Sequence, residues 1–161
     1  MNPAVSLSTF LIGKISFTKF FIYLIGQSIG AFLGSVLIYA VYLDALNNYD
    51  GGIRRTTGLN ATAGIWATYP SDNLSVLGGF LDQFVGTTLL ILVVLAVSDQ
   101  RNGDMPHGLD ALLLGALVFL IGMTFGMNCG YPINPVRDFI PRLFTCIAGW
   151  VFTFLFLFSL F

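Results

Sequence analysis

Apolar residues collect into three long runs. Residues 20–43 (FFIYLIGQSIGAFLGSVLIYAVYL) carry no charge. Residues 77–98 (LGGFLDQFVGTTLLILVVLAVS) carry one carboxylate, Asp82, near the start, and residues 109–127 (LDALLLGALVFLIGMTFGM) carry only Asp110, next to the first position. A helix needs about 20 such residues to cross a hydrocarbon layer of ~30 Å, so the pattern predicts three membrane-spanning helices. A fourth run, residues 147–161 (IAGWVFTFLFLFSLF), is apolar but stops with the chain and is expected to be a partial span. Glycines recur every fourth residue at Gly26, Gly30 and Gly34 and again at Gly122 and Gly126. Small residues at that spacing let helix backbones approach where lipid supplies no hydrophobic drive; glycine is also simply common in membrane helices, and the triple at 26, 30 and 34 is read as a packing face.

Two polar stretches separate the spans. Residues 44–76 contain Gly51-Gly52, Arg54-Arg55, Pro70 and two glycosylation sequons, Asn60-Ala61-Thr62 and Asn73-Leu74-Ser75. Sequons suit an exoplasmic loop. The basic residues nearly balance, with Lys14, Lys19 and Arg101 on one side and Arg54 and Arg55 on the other. The sequons therefore decide the orientation, with 44–76 outside and 99–108 (DQRNGDMPHG) in the cytoplasm.

Two shorter apolar segments each follow an Asn-Pro pair: Asn2-Pro3-Ala4 and Asn134-Pro135-Val136. Asn is a favoured helix N-cap, and Pro in the first turn sacrifices no hydrogen bond, because the first helical N–H groups are unpaired anyway. The helices predicted after them, about 3–13 and about 135–146, reach only about half the hydrocarbon thickness at ~1.5 Å per residue. Three spans lie between the two pairs, so the pairs face opposite sides of the membrane. Two half-helices entering from opposite faces would meet head to head and aim their positive N-terminal ends at the midplane. Irregular backbone at that depth is tolerated only beside a watery cavity or within protein. The arrangement predicts a polar path whose centre repels cations and offers donors to neutral solutes. Arg137, three residues past the second Asn, costs about 2.5–3.5 kcal/mol at the centre of a membrane helix and is read as lining that path. Arg142 is read as reaching for lipid headgroups, and Asp138 as pairing with a neighbour.

Composition agrees and narrows the classes. Hydrophobic residues make up 56% of the 161-residue chain and charged residues 9%, where a soluble domain carries about 25% charged. A net charge of −1 gives no nucleic-acid footprint. One His (His107), no Glu, and two cysteines, Cys129 and Cys146, without metal-ligand spacing give no metal site and no cofactor. No nucleophile–base pair points to an enzyme. An ion-coupled transporter with broken helices shares the half-helix logic, but it calls for an acidic group at the midplane, which these runs lack. The opening residues read as mid-protein sequence, so the chain is expected to be a fragment or a truncated product.

The twin Asn2-Pro3-Ala4 and Asn134-Pro135-Val136-Arg137-Asp138 motifs resemble the NPA signature of the aquaporin, or major intrinsic protein, family. The segments ATYP (67–70), DQFVGT (82–87), DQRNG (99–103) and RDFIPRLF (137–144) resemble its glycerol-conducting branch. The resemblance implies an all-α membrane protein, an inverted-repeat helical bundle with two re-entrant half-helices, here lacking the first two transmembrane helices. It implies a pore centre at Asn2, Pro3, Ala4, Asn134, Pro135 and Val136. It also implies a selectivity filter of Gly122, Tyr131 and Arg137, completed by an aromatic from a helix this chain does not contain. Asp138 after Arg137 is the glyceroporin-type residue. Gly122 in place of His would widen the constriction, Tyr131 would wall it, and Arg137 would donate to hydroxyls. Glycerol and water are the implied solutes, and urea fits the same description. A homotetramer in the plasma membrane is implied for the full-length form.

Departures from the family pattern are Val136 for Ala, Ile140 for Gly, and a last segment that loses the pattern after Trp150. Gln83 stands where many members carry a buried carboxylate and is expected to support the loop backbone. Cys129 is read as an inert small residue near the filter. The alternative to a channel is a truncated, non-conducting product that is degraded or associates with full-length subunits. Asn60 and Asn73 remain candidate glycosylation sites.

Overall fold

The structure is a computed structural model, and it describes residues 2–102, 106 and 108–150. Among the described residues five α-helices run in chain order: α1 (Pro3–Leu11), α2 (Phe17–Asp50), α3 (Val76–Val97), α4 (Leu109–Cys129) and α5 (Pro135–Ile147). There is no strand among the described residues. Helices α2, α3 and α4 are long and apolar enough to cross a membrane. Much of their apolar surface faces outward, as at Leu37, Val41, Leu112 and Met123, where lipid would cover it. Helices α1 and α5, at ~1.5 Å per residue, are too short to cross.

The expected fourth run falls mainly on residues 151–161, outside the described residues. Of its beginning, Ile147 ends α5, Ala148 caps it, and Trp150 is fully buried. The helix bounds otherwise differ from the hydropathy pattern chiefly in α2. Its apolar run ends at Leu43, but the helix continues two more turns through Asp44, Asn47 and Asp50. Gly51, in the left-handed region at φ 68°, stops it. Hydropathy reports where lipid ends, and backbone hydrogen bonding decides where the helix does.

Helices α3 and α4 form an antiparallel pair, α2 packs along α5, and α1 lies against α2, α3 and α5. Gly86 of α3 makes room for the segment between α4 and α5, since a Cβ there would sit 3.1 Å from Ile133 Cγ2. One apolar cluster joins Leu90, Ile121 and Ile133 beneath α1. A second joins Leu46, Trp66, Phe144 and Trp150, and it seats the 62–70 segment against α2 and α5.

An ion pair holds the outer end of α2. Arg54 Nη1 reaches both Asp50 oxygens at 2.8 Å, and the guanidinium lies 5.4 Å from the Tyr39 and Trp150 ring centroids. Burial pulls the Arg54 pKa down, but hydrogen bonds to Tyr39 and Asp50 more than offset that pull and raise it. At the other end of the bundle Lys14 Nζ donates to Ser98 O at 2.9 Å. The neighbouring Asp99 carboxyl, hydrogen-bonded by Arg101, is held down at about 2.

The Gly26, Gly30 and Gly34 stripe behaves differently from expectation. A Cβ at Gly26, Gly30 or Gly34 would meet nothing within 4 Å. These residues line an open groove of about 500 Å³ rather than a helix contact. Gly122 and Gly126 face the ring of Tyr131, not another helix backbone.

Candidate functional site: the meeting point of two half-helices

Each Asn-Pro pair begins its helix by the capping chemistry its residues favour. Asn2 Oδ1 accepts from Ala4 N at 2.9 Å, and Asn134 Oδ1 accepts from Arg137 N at 3.2 Å. Both Asn residues are extended, and Pro3 and Pro135 take the first helical position. The two starts are joined directly: Asn2 Nδ2 donates to Ile133 O at 2.7 Å, immediately before the second cap. Pro3 and Val136 are buried at this junction, and Ala4 and Pro135 are half-buried.

A cavity of about 350 Å³ opens at the junction. Asn2 and Asn134 supply its polar wall, and Leu90, Val94, Leu114 and Val118 of α3 and α4 supply an apolar one. Tyr131 and Arg137 also line it. Asn134 and Arg137 border the glycine-lined groove on α2 as well.

Tyr131 brings Gly122 and Arg137 together: Tyr131 and Arg137 line the cavity, and Gly122 lies against the Tyr131 ring without lining it. A Cβ on Gly122 would lie 3.0 Å from Tyr131 Cζ, so the ring rests directly on the glycine. The Arg137 guanidinium sits 5.9 Å from the ring centroid on another side. Tyr131 takes a left-handed backbone, φ 45°, rare for a residue with a side chain. Gly130 before it, φ 71°, has no room for a side chain: a Cβ would approach Thr68 Cγ2 to 2.7 Å.

Asp138 points the opposite way from Arg137. Its Oδ1 accepts from Thr68 N at 2.9 Å and Thr68 Oγ1 at 2.7 Å, and its Oδ2 accepts from Arg142 Nε at 2.7 Å. Arg142 also donates to Thr68 O and lies 4.6 Å from the Tyr69 ring centroid. Arg142 is 1% exposed, so the expectation that it reaches lipid headgroups is corrected. Its carboxylate partner one helical turn earlier draws it inward, and the pair bolts the 62–70 segment to α5. The i,i+4 spacing of Asp138 and Arg142 was the available signal.

The expectation for Gln83 is corrected too. Its amide donates to Asp82 Oδ2 at 2.9 Å and to Cys129 Sγ at 2.8 Å, not to loop backbone. Asp82, one residue earlier, supplies the buried carboxylate. Cys129 is buried as a donor to it. Ile140 is half-buried and borders neither cavity. Asn60 and Asn73 are exposed. Among the described residues no group of His, Cys, Asp and Glu could hold a metal ion.

Two half-helices joined at their N-terminal ends, beside a cavity and among the three apolar spans of the described residues, define an integral, multi-pass membrane protein. The family model of the major intrinsic proteins matches residues 1–160, and the chain belongs to that family. Human aquaporin-10 is 47% identical over 150 residues, covering 93% of this chain and 50% of its own length. Human aquaporin-9 is 43% identical over 152 residues, covering 94% and 52%. Among solved structures, the X-ray structure of the aquaglyceroporin from Plasmodium falciparum superposes with a TM-score of 0.85 at 30% identity, over 99% of this chain and 63% of that one. The chain thus spans about half the length of the curated relatives it matches.

Proposed function

We propose that the full-length protein is a passive channel for glycerol, other small neutral solutes including urea, and water. The observation that carries this reading is the Tyr131–Arg137 pair, backed by Gly122, on a cavity that Asn2 and Asn134 also line. Selectivity in such a pore comes from its width, its donors and the positive ends of its half-helices. Glycine at 122 leaves the width to the Tyr131 ring. The α3–α4 wall and the ring present apolar surface to a carbon chain, while Arg137 and the Asn amides donate to oxygens on the other side. The N-terminal ends of α1 and α5 oppose cations at the centre. The proposed assembly is a homotetramer in the plasma membrane, and the mechanism calls for no cofactor.

Because the chain spans about half the length of its curated relatives, the proposal is made for a full-length protein. The alternative, a short product that conducts nothing, leaves the Arg137 guanidinium facing lipid through the α2 groove, a costly place for a charge. Vesicles reconstituted with the full-length protein are expected to pass glycerol and water above the lipid background without carrying ionic current. Ample water flux with no glycerol flux would sink the glycerol assignment, and proton-coupled uptake would favour a transporter.

A further inference from the structure

A carboxylate inside an apolar span is costly unless its surroundings use it. Asp82 stands in the second turn of α3 and is buried. Its Oδ1 accepts from Asn128 Nδ2 at 2.8 Å, and its Oδ2 accepts from Cys129 Sγ at 3.0 Å and Gln83 Nε2 at 2.9 Å. All three donors are neutral, and Asp82 makes no ion pair among the described residues. It does not line the cavity.

Asn128 and Cys129 are the last two residues of α4. Gly130 and Tyr131 follow, both left-handed, with Gly130 pressed against Thr68. Asn128 O accepts from Ser71 N at 2.8 Å, which ties the same point to the loop above. The chain then has two residues of tightly constrained backbone between the Asp82 grip and the Tyr131 ring. Where α4 ends therefore decides how far the ring reaches over Gly122.

We infer that Asp82 is a positioning residue for solute selection: by holding Asn128 and Cys129 it sets the depth of the Tyr131 ring and with it the width of the constriction. The inference rests on the proposed conduction of glycerol and water past that ring. The carboxylate suits the task because one group can accept from three donors at once. A hydroxyl in its place would leave fewer acceptor sites for the same neighbours, and an amide serves them only once the Asn128 amide turns over.

The test uses the full-length protein in vesicles and reads the ratio of glycerol to water permeability. That ratio is independent of how many channels are folded and inserted, so a purely destabilising effect leaves it unchanged. Asp82→Ala, which removes the acceptor from all three donors, is expected to shift the ratio by roughly threefold to tenfold, the scale of one or two lost hydrogen bonds. Asn128→Ala, at an exposed position, removes one bond and should shift it in the same direction by less, and it serves if Asp82→Ala does not fold. Asp82→Asn should stay near the wild type, because one amide oxygen can serve Cys129 and Gln83 while the amide nitrogen meets a turned-over Asn128. Hydrogen exchange of the 129–133 amides supplies an independent reading, expected to quicken in Asp82→Ala relative to α3. Unchanged ratio and unchanged exchange in both alanine variants would overturn the inference. So would an Asp82→Asn variant as altered as Asp82→Ala, since the charge and not the hydrogen bonding would then matter. If the wild type passed no glycerol, the proposed function would fall, while the exchange measurement would still decide whether Asp82 anchors the loop.

Discussion

Replacing Gly122 tests the constriction most directly. A Cβ at this position would lie 3.0 Å from Tyr131 Cζ, 3.2 Å from Cε1 and 3.4 Å from Cε2. Three atoms of one ring would then sit at or inside the lower edge of ordinary contact, so the ring must withdraw by a few tenths of an ångström. Arg137, 5.9 Å from the ring centroid, limits where it can go. Gly122→Ala makes that demand alone, whereas Gly122→His adds an imidazole beyond the Cβ. Overpacking of this kind costs about 1–3 kcal/mol, and a cost of ~1.4 kcal/mol borne only by the larger solute slows it by a factor of ten. Glycerol permeability of Gly122→His should therefore fall by roughly tenfold, with Gly122→Ala intermediate, while water falls much less. Stopped-flow light scattering of vesicles under glycerol and sucrose gradients measures both. Equal proportional loss of the two fluxes, or undiminished glycerol flux in Gly122→His, would refute the reasoning, because Gly122 would then not control the narrow point.

Asn134→Ala removes the cap on Arg137 N and an amide from the cavity wall. It should lower stability by about 1 kcal/mol and nearly abolish glycerol flux, and intact flux at full expression would remove Asn134 from the path. Arg142→Met leaves Asp138 with a buried charge and no cation, a loss of about 3–5 kcal/mol, visible as a marked drop in the thermal unfolding midpoint in detergent. An unchanged midpoint would mean the pair does not anchor the 62–70 segment. Asn60→Gln and Asn73→Gln should each remove one glycan-sized step from the electrophoretic mobility of protein made in a secretory cell. No sensitivity of the wild type to an N-glycosidase would count against placing that loop outside.

The spans were legible because lipid imposes a length and a composition that a run of residues either meets or does not. The two half-helices were legible for a more local reason: Asn and Pro carry a capping preference wherever they stand. What pattern could not convey is which side of a helix meets which neighbour. Arg142 and Arg137 differ little in sequence context, yet one is sealed against Asp138 and Thr68 while the other borders the cavity. Asp82 and Gln83 are adjacent and about 100° apart around the helix axis, so the carboxylate and the amide take different tasks. The stripe at Gly26, Gly30 and Gly34 reads the same whether or not a partner helix is present, and within these residues none is. The clamp of Arg54 between Tyr39 and Trp150 joins residues more than a hundred positions apart, a separation at which spacing rules are silent.

The bond from Asn2 Nδ2 to Ile133 O spans 131 residues. At a synthesis rate of roughly 5–20 residues per second, the ribosome needs on the order of ten seconds to deliver the acceptor after the donor. During that interval the first half-helix exists without its counterpart, and its amide must be satisfied by water or by the insertion machinery. The junction therefore closes late, after all three spans have been made. A substitution that speeds the burial of α1 before α5 arrives would harm biogenesis while leaving every contact in the finished molecule intact.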